Sequence, residues 1–399
     1  MAERVLIAGG SHAGIGTADS LRRSGFDGEI IVLTEEIFRP YQRPPLSKDA
    51  GFPDDLGASI ALRKPDFYAA QRIDLRLGAP IASVDATARS VRLGDGSTLE
   101  YSHLVLATGA RARQLPAHLL AGRSPLVMRS YRDALDLREH LLAAQSLAIV
   151  GGGMIGLEVA ALASSLGCKV TVIEAAPRLL GRVAPERLAD RVAAFHAGQG
   201  VDVRLGETLA ALTGGADGYE LCLHSGATIA ADLALVSIGT EPRVDLALTA
   251  GLAIDNGILV SGTGQTSHER IWAVGDCCNW LIDAEAGRRF RFEGIQPATE
   301  QARIVAQAIA GKPAAVLPMP RFWSHQGALR LQMAGTTSEH ATYLPMATAS
   351  GAGECLLAVE HGIFVACYAL NAPDEFRVAT RLVETRAALA EESGRLLAS

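Results

Sequence analysis

Short apolar runs, each ending in a glycine turn, set the rhythm of this chain. Arg4-Val5-Leu6-Ile7-Ala8 is apolar without alternation, which predicts a strand buried on both faces of a parallel sheet. Gly9-Gly10-Ser11-His12-Ala13-Gly14 follows, then a helix to about Arg23 that stops at Ser24-Gly25. Residues 29–34 predict a second strand, closed by Glu35. The same succession returns later. Residues 147–150 form a strand, Gly151-Gly152-Gly153-Met154-Ile155-Gly156 a turn, and a helix runs to about Leu166 with Gly167 as its cap. Residues 169–173 are the next strand, and Glu174 closes it. "LVLATGARAR" (104–113) and "ALVSIGTEP" (234–242) are matching strand-and-turn segments, and "FEGIQPATEQAR" (292–303) begins a helix. Residues 385–399 read as an Ala/Leu/Glu/Arg helix that ends the chain.

Strand, glycine turn, helix, strand, acid is a device for holding a phosphate. The turn admits backbone to a pyrophosphate, and the helix N-terminus offers oriented N–H groups at the positive end of its dipole. In the first copy Glu35 is placed to accept from ribose hydroxyls, while Ser11 stands where G-x-G-x-x-G has its second glycine and crowds the pyrophosphate. The second copy is complete. Glu174 falls 23 residues after Gly151, near the spacing for an acid that reads a ribose 2′-OH, so NADH is expected over NADPH. Either turn alone could merely pack a helix on a strand. Two, each in full context, point to two nucleotides in one protein: a flavin and a nicotinamide cofactor exchanging a hydride.

Composition narrows the class. The chain has 399 residues, enough for two or three domains, and a net charge of −6, which disfavours a nucleic-acid-coating surface. It lacks an apolar run of about 18 residues, so no membrane span is expected. "MAERVLIAGG" enters a strand directly and leaves no room for a signal peptide. The six cysteines form no CxxC pair and no zinc-like spacing, so no metal site is expected, and a reducing cytoplasm fits. The vicinal pair Cys277-Cys278 reads as packing.

"RPYQRPPLSK" (39–48), "GGGMIGLE" (151–158), "GDC" (275–277) and "FWS" (322–324) stand in one order along the chain. In that order they resemble the ferredoxin reductases of oxygenase systems, the group of putidaredoxin, rhodocoxin and biphenyl-dioxygenase ferredoxin reductases, over nearly the whole length. The resemblance implies an α/β fold with two Rossmann-like dinucleotide-binding domains, like glutathione reductase, plus a C-terminal α+β domain. It implies a discontinuous FAD domain (1–112 and 246–320), an inserted NAD domain (113–245) and a C-terminal domain (321–399). Electrons would pass from NADH through FAD, one at a time, to a 2Fe–2S ferredoxin that serves a cytochrome P450 or a Rieske oxygenase.

By the same resemblance Lys48 lies near the flavin N5 side, and Glu158 faces the nicotinamide and pairs with Lys48. A carboxylate in the apolar stretch "MIGLEVAALA" is in any case costly unless paired. Trp323 would pack near the flavin at the face where the ferredoxin docks. Asp276, after Gly275, would bind the ribityl chain, and Ile295 would offer backbone to the ring. Gly9, Ser11, His12, Ala13, Gly14, Glu35, Arg43, Ile81, Ala107, Thr108, Gly109, Arg132 and Glu293 complete the expected FAD contacts. Gly151, Gly153, Ile155, Gly156, Glu174 and Gly239 are the expected NAD contacts. His325 and Gly327 depart from the family pattern, which expects Asp and an aromatic there, and this touches partner identity. Arg288, Arg289 and Arg291, with Arg321 and Arg330, suggest a docking patch for an acidic ferredoxin or simply a solvated face. The rivals are a disulfide reductase, for which residues 36–60 supply no cysteine, a rubredoxin or monodehydroascorbate-type reductase, and an NADH-sensing flavoprotein without rapid turnover.

Overall fold

The computed structural model describes residues 3–48, 59–313, 315–348 and 353–390. The chain divides into two compact units: Met1–Gln42, Phe52–Arg111 and Glu241–Pro320 form one, and Arg43–Gly51, Ala112–Thr240 and Arg321–Ser399 the other.

In the first unit the apolar runs become a parallel five-stranded sheet, in the order Ile271–Ala273, His103–Leu106, Arg4–Ala8, Glu29–Leu33, Ile73–Arg76. Val5, Leu6, Ile7, Leu104 and Val105 are wholly buried, as unalternating strands covered on both faces must be. The order places the glycine turn after Arg4–Ala8 at the point where the chain changes direction across the sheet, where α/β sheets open a crevice. Helix His12–Arg23 lies against helix Ile295–Ile309, so close that a Cβ on Gly16 would stand 3.3 Å from that of Ala302. Strands Ile81–Asp85, Ser90–Leu93 and Thr98–Glu100 form a small antiparallel sheet.

The second unit repeats the scheme. Its parallel sheet runs Leu126–Val127, Leu233–Val236, Ser146–Val150, Lys169–Glu174, Asp202–Leu205. A four-stranded sheet packs Leu212, Leu221 and Ile229 against Ala148, Val150 and Ile173 in one core. The C-terminal part is an antiparallel sheet in the order Arg321–Gln326, Leu329–Gly335, Ile363–Leu370, Glu354–Glu360, Thr342–Met346. Strand Arg321–Gln326 rests on helix Met154–Ser165, and helix Pro373–Glu384 rests on Ile363–Leu370.

Helix Pro373–Glu384, with Pro373 at its first turn, precedes the stretch 385–399 that reads as helical, and that reading is corrected over 385–388. Arg386 then takes a positive φ of 51°, and Ala388 pairs with Ile363. Helical propensity at 385–388 yields to a tertiary backbone bond, whereas Leu389 and Ala390 are helical; residues 391–399 lie outside the described residues.

Candidate functional site

Each parallel sheet carries a glycine turn where a central strand ends. After Ala8, Gly9 takes φ +125°, and a Cβ there would lie 2.1 Å from the Ala107 carbonyl oxygen. A Cβ on Gly14 would lie 1.8 Å from the carbonyl oxygen of Gly9. Both positions are glycine because backbone crosses backbone. Ser11 is the N-cap residue, His12 and Ala13 open the helix, and no acid stands in its first turn to repel an anion. Ala107, Thr108 and Gly109 form the neighbouring turn, after strand His103–Leu106. A Cβ on Gly275 would stand 2.9 Å from that of Ala13, which sets Gly275 and Asp276 against the start of helix His12–Arg23. The topology therefore gathers these residues at the C-terminal ends of three adjacent strands. Ile81 opens strand Ile81–Asp85, Ile295 opens helix Ile295–Ile309, and Glu293 is ion-paired with Arg291.

Glu35 follows strand Glu29–Leu33, and Arg243 grips its carboxylate with both terminal nitrogens, Nη2 to Oε2 at 2.8 Å. The Arg243 backbone is tied to the Thr108-Gly109 turn: its N–H donates to the Gly109 carbonyl at 2.9 Å, and its carbonyl accepts from Thr108 Oγ1 at 2.7 Å. The hydrogen bond to Glu35 raises the Arg243 pKa, so the cation is permanent. Sequence reading missed Arg243, because it lies 208 residues from Glu35 and no local pattern marks it.

The second turn uses Gly151 and Gly156 as the first uses Gly9 and Gly14. A Cβ on Gly151 would meet the Ser237 carbonyl oxygen at 2.4 Å, and one on Gly156 the Gly151 oxygen at 2.5 Å. Gly153 is different. The nearest atom to a Cβ there is the Ser237 carbonyl oxygen at 3.9 Å, so the protein's own packing does not demand glycine. Gly153 keeps a space open at the N-terminus of helix Met154–Ser165, where no side chain caps the helix and no acid occupies the first turn. Helix Tyr131–Leu141, by contrast, is sealed by a capping box of Ser130 and Asp133. Open amides beside a reserved space suit a pyrophosphate, and Ile155 sits in that first turn. The Glu174 carboxylate accepts from the Gly152 and Ala176 amides, both at 2.7 Å, and its remaining lone pairs can still serve ribose hydroxyls. Gly239, at φ +100°, is faced by the Arg182 guanidinium, 3.0 Å from where a Cβ would be.

The structure also brings Lys48 and Glu158 together in the second unit. Pro44–Ser47 forms a 3-10 turn with Lys48 as its cap, packed on helix Met154–Ser165. Lys48 Nζ donates to Glu158 Oε2 at 2.8 Å and to the Pro44 carbonyl at 2.8 Å. Ser47 Oγ also donates to Oε2, and Ser324 Oγ to Oε1 at 2.7 Å. The carboxylate is 5% exposed, so these donors replace its hydration. Ser324 is buried on strand Arg321–Gln326, while its neighbour Trp323 points the other way on the pleat and is 41% exposed. Arg43 Nη1 donates to the Arg129 carbonyl at 2.7 Å, and Arg132 is exposed in the first turn of helix Tyr131–Leu141.

Comparison with known proteins settles the lineage. Residues 3–302 match the family described as pyridine nucleotide-disulphide oxidoreductase, and residues 321–394 match a reductase C-terminal domain. The chain belongs to the pyridine nucleotide-disulphide oxidoreductases. It is 38% identical to the ferredoxin reductase component of chlorobenzene dioxygenase from Cupriavidus sp. (strain PS12), over 98% of this chain and 94% of that protein. It is also 38% identical to a rubredoxin-NAD(+) reductase of Pseudomonas putida, over 84% of this chain and 87% of that one. Among solved structures, putidaredoxin reductase in its covalent complex with putidaredoxin matches with a TM-score of 0.90 at 32% identity, over 100% of this chain and 99% of that one.

This oxidoreductase binds NAD(H) and a flavin as a member of that family. The disulphide chemistry in the family name finds no support in its thiols. All six cysteines are free, and five are buried. Burial raises the pKa of Cys277 and Cys278, and takes Cys355 to about 12 and Cys367 to about 11, so none of these is a ready thiolate. Cys277 and Cys278 are packing residues. Gly327 takes φ +61° in the hairpin after strand Arg321–Gln326, a left-handed backbone that favours glycine. Of the basic run, Arg289 is spent on the Val260 and Asn279 carbonyls and Arg291 on Glu293, and Arg321 is paired with Glu384. Among the described residues no helix is long and apolar enough to cross a membrane, and no cluster of His, Cys, Asp and Glu could hold a metal.

Proposed function

We propose that this protein is an NADH-dependent reductase that passes electrons through FAD to a 2Fe–2S ferredoxin serving an oxygenase, either a cytochrome P450 or a Rieske enzyme. The supporting observation is that likeness to ferredoxin reductase components runs through both glycine-turn segments and the C-terminal domain, not through a nucleotide fold alone. FAD is assigned to the first turn, with Gly9, Ser11, His12, Ala13, Gly14, Glu35, Thr108 and Asp276 as its holders, and NADH to the second, with Gly153, Glu174 and Gly239. Bound FAD would supply the exchange between a two-electron donor and a one-electron acceptor.

The chain's own part is electrostatic and orienting. The helix N-termini would hold phosphates, and Glu174 would select a free 2′-hydroxyl by repelling a 2′-phosphate. The Lys48 ammonium is fixed by Glu158 and Pro44; near the flavin N5, where the resemblance puts it, it would favour the negative charge that arrives on reduction. Trp323 offers an aromatic face to partner or cofactor.

The test is to purify the protein, record its flavin spectrum, add NADH or NADPH anaerobically, and then offer acidic 2Fe–2S proteins and rubredoxins. Bleaching by NADH well ahead of NADPH, followed by rapid ferredoxin reduction, is expected. A preparation that takes up no FAD, or a yellow one that NADH leaves oxidised, refutes the reading. Preference for rubredoxin would favour the second relative's acceptor, whose match covers less of the chain.

A further inference from the structure

The Lys48–Glu158 pair is the end of a longer buried chain, all within one unit. Beyond Ser324, Gln326 Nε2 lies 3.3 Å from Ser324 Oγ, and Gln326 Oε1 lies 2.8 Å from His196 Nε2. Ser324, Gln326 and His196 are each 0% exposed. His196 belongs to helix Glu186–Gly198, and Gln326 and Ser324 to strand Arg321–Gln326.

The direction of every bond is forced. A carboxylate only accepts, so the single Ser324 hydroxyl proton goes to Glu158 Oε1. Ser324 Oγ must then accept from Gln326, which turns the amide nitrogen toward Ser324 and the amide oxygen toward His196. An amide oxygen only accepts, so His196 must carry its proton on Nε2. His196 Nδ1 is buried without a partner, and a second proton there would be an unpaired charged donor in the core. Burial accordingly lowers the His196 pKa, and the ring is neutral at neutral pH.

We propose that His196 is a positioning residue for the reaction: its Nε2–H orients Gln326, which orients Ser324, which locks Glu158 in the geometry that fixes Lys48. A hydrophobic residue at 196 would leave the Gln326 oxygen buried and unpaired, free the amide to flip, and release one of the oxygens of Glu158. The proposal rests on the NADH-reductase reading for its kinetic consequence but not for the protonation state it assigns.

The test has two arms. In the wild-type protein labelled with 15N-histidine, His196 should show the neutral Nε2–H pattern and fail to titrate between about pH 6 and 8; its signal is identified by its loss in His196→Gln. An Nδ1–H tautomer, or a His196 that titrates near its ordinary value, overturns the proposal whatever the rates of the variants. In the second arm, His196→Leu and Gln326→Met should slow flavin reduction at saturating NADH by roughly fivefold, with NADH affinity changed less than about twofold. His196→Gln, which returns an amide N–H at similar reach, should restore most of the rate. Equal rates in all variants, or a loss in His196→Gln as large as in His196→Leu, reduces His196 to a packing residue and refutes the proposal. Wild-type protein that NADH does not reduce would instead sink the functional reading, leaving the tautomer result to stand or fall alone.

Discussion

At Glu158 a single charge is tolerated in an apolar helix because an ammonium and two hydroxyls converge on it. Lys48→Met removes the ammonium and strands the carboxylate. Since the Lys48 side chain keeps 20% of its exposure, the loss should be on the order of 2 kcal/mol, below that of a fully desolvated pair. Denaturant unfolding will measure it, and Lys48→Met/Glu158→Gln should recover most of it. Stopped-flow reduction by NADH should be slow in both variants while FAD stays bound; unchanged rates would remove Lys48 from the reaction. The value of this site lies in charge placement, which the double variant separates from stability.

At the scale of the element, the two glycine turns contain two kinds of glycine. Gly9, Gly14, Gly151 and Gly156 are demanded by crossing backbones, and Gly153 is not. Gly151→Ala should therefore destabilise the fold, by about 1–3 kcal/mol from the strained positive φ alone. Gly153→Ala should leave the melting temperature within a degree or two and weaken NADH binding, readable by titration of the oxidised protein with NAD+. A stability loss at 153 equal to that at 151 would make Gly153 another packing glycine. Much of this was legible in advance: short β-branched runs such as Val5-Leu6-Ile7, each ended by a glycine turn, favour doubly buried strands, and a glycine turn before a helix has few other solutions. The predicted C-terminal helix gives way over 385–388, because the pairing of Ala388 with Ile363 leaves no trace in local periodicity.

The whole molecule carries its own signatures. Burial lowers the pKa of His103, His196 and His325. Below the unfolded histidine value of about 6.5 the unfolded chain takes up protons that the native state refuses, so stability should fall as pH drops from about 7 to 5. Carboxylates held low by backbone donors, such as Asp232 by the amide of Gln145, add their loss only at lower pH. Melting curves across that window should show the decline, and His196→Gln should flatten it; a flat wild-type profile would contradict the buried neutral histidines. With five thiols buried, Ellman's reagent should titrate Cys222 quickly in the native protein and the other five only on unfolding.

Local sequence by itself determined the repeated strand–turn–helix units, the acids that close them and the need for a partner at Glu158, since each follows from backbone sterics or from the cost of burying charge. Only the tertiary structure decided which partners are met. Arg243 reaches Glu35, Ser47 and Ser324 reach Glu158, and His196 reaches Gln326 across separations of 111 to 208 residues. Hydrogen bonds of that span are set by how sheets and helices pack, and packing has no period that a short window of sequence can display.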